Sequence, residues 1–249
     1  MKIIGIIPAR FNSTRFPGKP LELIDGKPMV QWVYENCSKT KLFDHIYIAT
    51  DDKLIQNTCR DFGASTFMTA ADHRSGTDRV FEVADQLNLN SDDIVINVQG
   101  DLPFVDEKAI RSCLVLSRLN EADITTIVVE KFFVFGDYID KNNVKCIFND
   151  RYEALYFSRS PIPYIRNGYF PKTWFKHIGI YSYKFAALTK FVSLKRGDWE
   201  KFEGLEQLRA LQNGMKIKVS VSSEIDICDL DVNVPADIVK AEKILKGRK

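Results

Sequence analysis

Short apolar runs alternate with helical patterns through the first half of the chain. The runs are rich in Ile and Val, and the segments between them space apolar residues as a helix with one buried face does. Strands are predicted at Ile3–Pro8, His45–Thr50, Ser65–Met68 and Asp93–Val98. Helices are predicted near Pro28–Thr40, Lys53–Phe62, Thr77–Leu87 and Glu107–Leu119. This alternation predicts a mainly parallel sheet covered on both faces, with its ligand crevice at the carboxyl ends of the strands.

The pattern becomes more extended after residue 120. Strands are predicted at Asp123–Glu130, Val144–Asn149, Glu153–Phe157, His177–Tyr183 and Lys216–Val221. Helices are predicted at Tyr183–Val192, at Phe202–Gln212 and from Pro235 onward. We therefore predict one three-layer α/β domain over residues 1–249, whose mixed, mainly parallel sheet has an antiparallel extension. Residues 130–190 are expected to form a subdomain and a partner surface.

The loop that follows the first predicted strand is rich in cations and small residues. Residues 8–20 read Pro-Ala-Arg-Phe-Asn-Ser-Thr-Arg-Phe-Pro-Gly-Lys-Pro. Arg10, Arg15 and Lys19 can surround a nucleoside triphosphate, and small residues such as Ser13 let backbone N–H groups approach its oxygens. The loop lacks the glycine spacings of ATPase and dinucleotide loops, which removes the main support for those functions. The alternative is a solvated basic loop.

A second candidate site follows the predicted strand Asp93–Val98, where Gln99-Gly100-Asp101 lies at the carboxyl end. Mg²⁺ prefers oxygen ligands and is usually held by one or two protein groups and substrate phosphates. Asp101 is thus a candidate ligand, and Asp231 or Asn233, shortly before Pro235, can supply the second. A helix cap or an Asx-turn is the alternative role for Asp101.

The segment from Asp72 to Arg79 opens a predicted helix with small, hydrogen-bonding residues that can lie against a planar base. Ser75 or Thr77 can instead cap that helix, and both roles can coexist. Asp51 and its neighbour Asp52 follow another strand and are equally well explained as turn formers or as ligands.

Composition narrows the functional classes. The chain has 249 residues with 35 basic and 33 acidic side chains, a net charge of +2, which argues against nucleic-acid binding. Its five cysteines are widely spaced and show no metal or redox pairing, so buried free thiols are expected. No run of 18 apolar residues occurs, so we expect no membrane span and a cytoplasmic location.

Separated motifs resemble those of one family over essentially the whole chain. Beyond residues 7–20, they are Ala-Thr-Asp-Asp (49–52), Ser-Gly-Thr-Asp-Arg (75–79), Asn-Val-Gln-Gly-Asp (97–101), Ala-Leu-Tyr-Phe-Ser-Arg (154–159), His-Ile-Gly-Ile-Tyr (177–181) and Leu-Glu-Gln-Leu-Arg (205–209). The family is that of the CMP-Kdo synthetases, or 3-deoxy-manno-octulosonate cytidylyltransferases. The resemblance implies a Rossmann-like nucleotidyltransferase fold, a homodimer, Mg²⁺ as cofactor, and the joining of CTP to the sugar acid Kdo with release of pyrophosphate.

The resemblance also implies roles for individual residues. Catalytic roles fall to Lys19, Arg10 and Asp101, and metal binding to Asp101 and Asn233. The residues implied at the nucleotide are Pro8, Arg10, Ser13, Lys19, Ser75, Gly76, Arg79 and Gln99. Those implied at the sugar are Gln99, Arg159, His177, Tyr181, Glu206 and Gln207.

The residues at the expected sugar site also have plain structural explanations. His177 and Tyr181 can be ordinary strand residues, and Glu206 a solvated helical charge. The planar guanidinium of Arg159 suits a sugar carboxylate, although an Arg beside Pro161 can equally pin the loop to the protein.

Two positions depart from the family pattern. Leu102 stands where the family usually has an acidic residue before proline, and Asn233 stands in place of the second metal carboxylate. An amide oxygen still binds Mg²⁺, with less charge. These changes leave open an 8-amino variant of Kdo or another 3-deoxy-2-keto sugar acid as substrate. They also leave open a catalytically silent sugar-nucleotide binding protein.

Overall fold

The computed structural model describes residues 1–12, 16–223 and 228–248. Ser13, Thr14 and Arg15 of the predicted phosphate loop lie outside the described residues. The strands are β1 (Ile3–Pro8), β2 (Leu23–Ile24), β3 (Lys27–Pro28), β4 (His45–Thr50), β5 (Ser65–Met68), β6 (Ile94–Val98), β7 (Ile124–Phe132), β8 (Lys145–Phe148), β9 (Ala154–Ser158), β10 (Thr173–Lys184) and β11 (Ile217–Ser223).

The helices interleave with these strands, as the alternating pattern predicts. They are α1 (Met29–Lys39), α2 (Lys53–Asp61), α3 (Gly76–Gln86), α4 (Glu107–Arg118), α5 (Phe135–Ile139), α6 (Phe185–Ser193), α7 (Asp198–Glu203), α8 (Gln207–Gln212) and α9 (Pro235–Arg248). The chain divides into two compact units, one from the described residues of Met1–Glu107 and Cys228–Lys249 and one from those of Lys108–Ile227. Residues 130–190 fall within the second unit.

The first unit contains a parallel sheet. Its strands lie in the order β6-β1-β4-β5, with Ile3 opposite Ile94 on one side of β1 and Ile4 opposite His45 on the other. All of β6 and nearly all of β1 are buried, as expected for strands covered by helices on both faces. The α/β fold and its mainly parallel arrangement here are confirmed.

Gly100 brings the ends of β1 and β6 close together. A Cβ atom on this residue would lie 2.7 Å from the carbonyl oxygen of Pro8, which is closer than side-chain atoms approach backbone oxygens. Only a residue without a side chain fits between these two strand ends. The loop that starts at Pro8 and the turn that carries Asp101 are therefore neighbours.

The second unit contains the antiparallel extension. β7 pairs antiparallel with the long strand β10 and parallel with β11, while β8 pairs antiparallel with β9 and β10. The strand predicted at His177–Tyr183 begins earlier, at Thr173. The single helix predicted at Phe202–Gln212 is wrong: Gly204, with φ of +62°, ends α7 before α8 begins.

His177 lies in the interior of the second unit. Its Nε2 is 2.9 Å from Oγ1 of Thr126, whose hydroxyl donates to the carbonyl of Ile180 at 2.7 Å, so the histidine nitrogen is the donor in the first contact. Burial lowers the pKa of His177 to about 3. The imidazole is therefore neutral in the folded protein across the physiological range.

We expect Gly100→Ala to lower the free energy of unfolding by about 1–3 kcal/mol, because the new methyl group would push apart two paired strands. Urea unfolding monitored by circular dichroism measures this change. Gly136→Ala is the matched control, since a Cβ there meets nothing within 4 Å in helix α5. Equal stabilities of the two variants would contradict the close approach of the strand ends.

Acid should destabilise the protein through His177. The unfolded chain binds a proton below pH about 6.5 while the folded histidine stays neutral, so stability present above that pH is lost as the pH falls. The expected loss from this group is about 1.4 kcal/mol per pH unit between pH 6 and 4. Denaturant unfolding of the wild type and His177→Asn should show the smaller pH dependence in the variant; parallel losses would refute the assignment.

Candidate active site

Lys19 joins three segments of the first unit. Gly18, at φ of +71°, turns the chain so that Lys19 begins a short 3-10 turn. The Lys19 ammonium donates to Oδ2 of Asp101 at 2.7 Å and to the carbonyl of Val232 at 2.9 Å. The N–H of Val232 in turn donates to the carbonyl of Asp101 at 2.9 Å. The basic loop and the aspartate after β6 are thus in direct contact.

The oxygens around this contact suit a hard cation. Asp101 offers a carboxylate, Val232 a carbonyl and Asn233 an amide, all of the ligand type that Mg²⁺ prefers. The Asn233 amide donates to the Asp231 carboxylate, and its backbone N–H donates to Asp237 at 2.9 Å. Within the described ranges no cluster of three or more His, Cys, Asp or Glu side chains could hold a metal. The carboxylate, carbonyl and amide oxygens at this place are of the type that would fit Mg²⁺.

The segment predicted at the nucleotide forms the start of α3. Ser75 caps this helix by accepting from the N–H of Asp78 at 3.2 Å. A Cβ on Gly76 would lie 3.1 Å from Nε2 of Gln99, so the Gln99 amide lies directly against the first turn of α3. Ser75, Gly76 and Gln99, which were predicted from separate motifs, are therefore close together.

Arg79 points into the protein. Its side chain is 3% exposed, and its guanidinium donates to Asp51 at 3.0 Å and to Thr69 at 2.5 Å. Asp51 also accepts from the N–H of Phe11 at 3.4 Å, which links Arg79 to the basic loop. Asp52 caps α2 and Asp51 pairs with Arg79, so the structure gives both aspartates a structural partner. Direct contact of Arg79 with a nucleotide remains a prediction.

Arg159, in the second unit, is engaged by backbone carbonyls. Its guanidinium donates to Glu203 at 2.7 Å and to Lys141 at 2.9 Å, and its backbone N–H donates to the Glu203 carboxylate at 2.8 Å. The side chain thus pins neighbouring loops together, as one of the two sequence interpretations expects. Its binding of a sugar carboxylate remains a prediction.

Tyr181 and Gln207 form a buried polar pair in the same unit. The Tyr181 hydroxyl donates to Oε1 of Gln207 at 3.1 Å, and the nearby His177 ring lies 5.4 Å from the Tyr181 ring. The pairing of β10 with β7 shifts register between Ile178 and Tyr181, as at a β-bulge. Burial, and next the charge of Glu206, raise the pKa of Tyr181 well above its usual value, which keeps it protonated.

Gln207 has an unused donor. Its side chain is buried, and no described residue accepts a hydrogen bond from its Nε2. A buried donor without a partner costs about 1–3 kcal/mol, which an acceptor atom of a ligand would recover. Glu206, beside it, is half-buried at the start of α8, so it is not the fully solvated charge considered above.

Two further positions from the sequence analysis are Leu102, which departs from the family pattern, and Arg10, which is predicted at the phosphates. Leu102 is buried, and its N–H donates to the carbonyl of Gln99 at 3.2 Å, which closes the turn that carries Asp101. Arg10 is exposed. Sequence reasoning missed the Val232 carbonyl, Thr69 and Thr126, because backbone carbonyls and neutral hydroxyls carry no distinctive pattern.

Comparisons with known proteins identify the family. Residues 4–217 match the family model described as cytidylyltransferase. A 3-deoxy-manno-octulosonate cytidylyltransferase of Thermodesulfovibrio yellowstonii is 44% identical, over 98% of each chain. An 8-amino-3,8-dideoxy-manno-octulosonate cytidylyltransferase of Shewanella sp. (strain W3-18-1) is 45% identical, over 98% of this chain and 99% of the relative.

A solved structure extends the likeness to the fold. It is that of CMP:2-keto-3-deoxy-manno-octonic acid synthetase complexed with CTP, 35% identical, with a TM-score of 0.89 over 100% of both chains. The Rossmann-like nucleotidyltransferase fold that the motifs imply is thereby confirmed. The chain belongs to the cytidylyltransferase family, as a nucleotidyltransferase of the CMP-Kdo synthetase group.

Proposed function

We propose that this chain joins CTP to 3-deoxy-manno-octulosonate, giving CMP-Kdo and pyrophosphate. The observation that supports the proposal is the contact of Lys19 with Asp101 in a member of this family: the cation proposed to bind phosphates lies beside the carboxylate proposed to bind Mg²⁺. A relative of equal similarity is named for the 8-amino sugar, so that acid is the second candidate substrate.

The first unit would bind the nucleotide. Arg10, Ser13 and Lys19 would hold the phosphates, and Gln99 with the first turn of α3 would lie at the nucleoside. Asp101 and Asn233 would hold Mg²⁺, which when bound offsets the charge of the phosphates. Cations and fixed N–H dipoles near the phosphates stabilise the charge that develops on them, which is the main protein contribution to phosphoryl chemistry.

The second unit would bind the sugar acid through Arg159, His177, Tyr181, Glu206 and Gln207. The unpaired Nε2 of Gln207 can donate to a carboxylate or hydroxyl oxygen. The anomeric oxygen of the sugar forms a bond to the α-phosphorus, and its proton passes to water. The bond from that phosphorus to the bridging oxygen breaks, and pyrophosphate leaves with the electron pair. Positioning of the two substrates supplies much of the rate.

A cytoplasmic location is also part of the proposal. All five cysteines are free, and four of them are buried, which suits a reducing compartment. Burial raises the pKa of the Cys37 and Cys113 thiols to about 12, so these residues are unreactive core residues. Among the described residues, no helix is both long and apolar enough to cross a bilayer.

The activity is tested by offering the purified protein Mg²⁺ with each of CTP, ATP, GTP and UTP, and a panel of keto sugar acids. We expect pyrophosphate release and a CMP-sugar product with CTP only, and the highest kcat/KM with Kdo. A panel in which Kdo is inferior to every other acid would refute the sugar assignment. CTP binding without product from any acid would instead support a catalytically silent protein.

Lys19→Ala provides the site control for this assay. Loss of the ammonium should lower kcat about 10²-fold, the scale for a lost electrostatic stabiliser. Lys27→Ala should leave kcat unchanged, because Lys27 pairs with Glu35 and lies over the Trp32 ring on α1.

A homodimer is proposed through exposed aromatic residues of the second unit. The Phe170 ring lies 4.9 Å from that of Phe133 and 6.1 Å from that of Phe135, and the adjacent Tyr169 is 87% exposed. Such a patch marks an interaction surface. Light scattering should give a dimer for the wild type and a smaller mass for Phe135→Glu, with Phe202→Glu, also exposed, as the unchanged control. A monomeric wild type at micromolar concentration would contradict the proposal.

A further inference from the structure

The Lys19 ammonium lies where a metal bound to Asp101 would meet it. It donates to Oδ2 of Asp101 at 2.7 Å and to the Val232 carbonyl at 2.9 Å. The pair is largely shielded, with the side chains of Lys19 and Asp101 14% and 28% exposed. Water therefore weakens this attraction less than it does at an open surface.

Binding a divalent cation and this ammonium to the same carboxylate carries a large cost in electrostatic free energy. Mg²⁺ binds oxygen at about 2.0–2.1 Å, so an ion on Oδ2 of Asp101 would lie within about 5 Å of Nζ of Lys19 while that hydrogen bond persists. Repulsion between a double and a single positive charge at that distance is large. The neutral Asn233 adds no charge to offset it.

The phosphates of a nucleotide would resolve this conflict. They offer the Lys19 ammonium new anionic partners and at the same time supply further oxygen ligands to a metal. Lys19 can then leave Asp101, whose carboxylate becomes available. Without phosphates, the carboxylate already has its cation.

We infer that Lys19 is the resident counter-ion of Asp101, that it excludes a free divalent cation, and that the species this chain admits is the metal–nucleotide complex. The inference rests on the proposed function for the identity of the site. It assigns Lys19 a role in the free protein that is separate from its role toward the phosphates.

Mn²⁺ binding in the absence of nucleotide tests the inference, since the electron paramagnetic resonance signal of free Mn²⁺ reports the bound fraction. Lys19→Met removes the charge and keeps most of the side-chain length. We expect this variant to bind Mn²⁺ at least about tenfold more tightly than the wild type. Lys27→Met, which removes another paired lysine of the same unit, should match the wild type.

The gain must depend on Asp101, so Lys19→Met combined with Asp101→Asn should lose it. Equal Mn²⁺ affinity of the wild type and Lys19→Met, or a gain that survives Asp101→Asn, would overturn the inference. Circular dichroism checks folding, and Lys19→Gln replaces Lys19→Met in the same titration if the latter does not fold. The titration contains no sugar acid and no turnover. A failed activity assay with the expected Mn²⁺ result therefore refutes the proposed function alone, and the reverse pattern refutes this inference alone.

Discussion

The close approach of β1 and β6 is the constraint on which the contact between Lys19 and Asp101 depends. Adjacent parallel strands bring their carboxyl ends to one edge, and Gly100 lets the backbone after β6 come against the Pro8 carbonyl. Because Pro8 opens the basic loop and Asp101 follows Gly100, a lysine eleven residues along the loop reaches the aspartate. Val232 then contacts both residues through its backbone: its carbonyl accepts from Lys19, and its N–H donates to the carbonyl of Asp101.

The strand pattern was predictable because it reflects burial. Strands covered on both faces need continuous apolar runs, and β1, which is nearly all buried, has the predicted bounds. The hairpin of β2 and β3 was missed because its strands have two residues each and no alternation to detect. The split between α7 and α8 depends on one left-handed glycine inside a helical pattern, which periodicity alone treats as tolerated.

The direction of a charged side chain was harder to predict than its presence. Arg10 is exposed, whereas Arg79 is buried against Asp51, although both were predicted to lie at the nucleotide. Arg159 satisfies carbonyls of its own protein, which the sequence offered only as one of two explanations. An arginine can donate to a ligand or to the fold with the same atoms, and the three-dimensional placement of carbonyls and carboxylates decides between them.

In the second unit, burial determines the protonation states of two neighbouring polar side chains, His177 and Tyr181. Burial keeps His177 neutral and Tyr181 protonated, and the Tyr181 hydroxyl donates a hydrogen bond to Gln207. These three side chains therefore present neutral donors and acceptors, with the Nε2 of Gln207 still to be satisfied. A neutral buried donor selects between ligands by their geometry. A ligand that places no acceptor beside the Gln207 amide leaves that donor unpaired, and the free-energy cost of burying it is not recovered. If the sugar acid binds in this unit as proposed, these three side chains would select it by the positions of its hydroxyl and carboxylate oxygens.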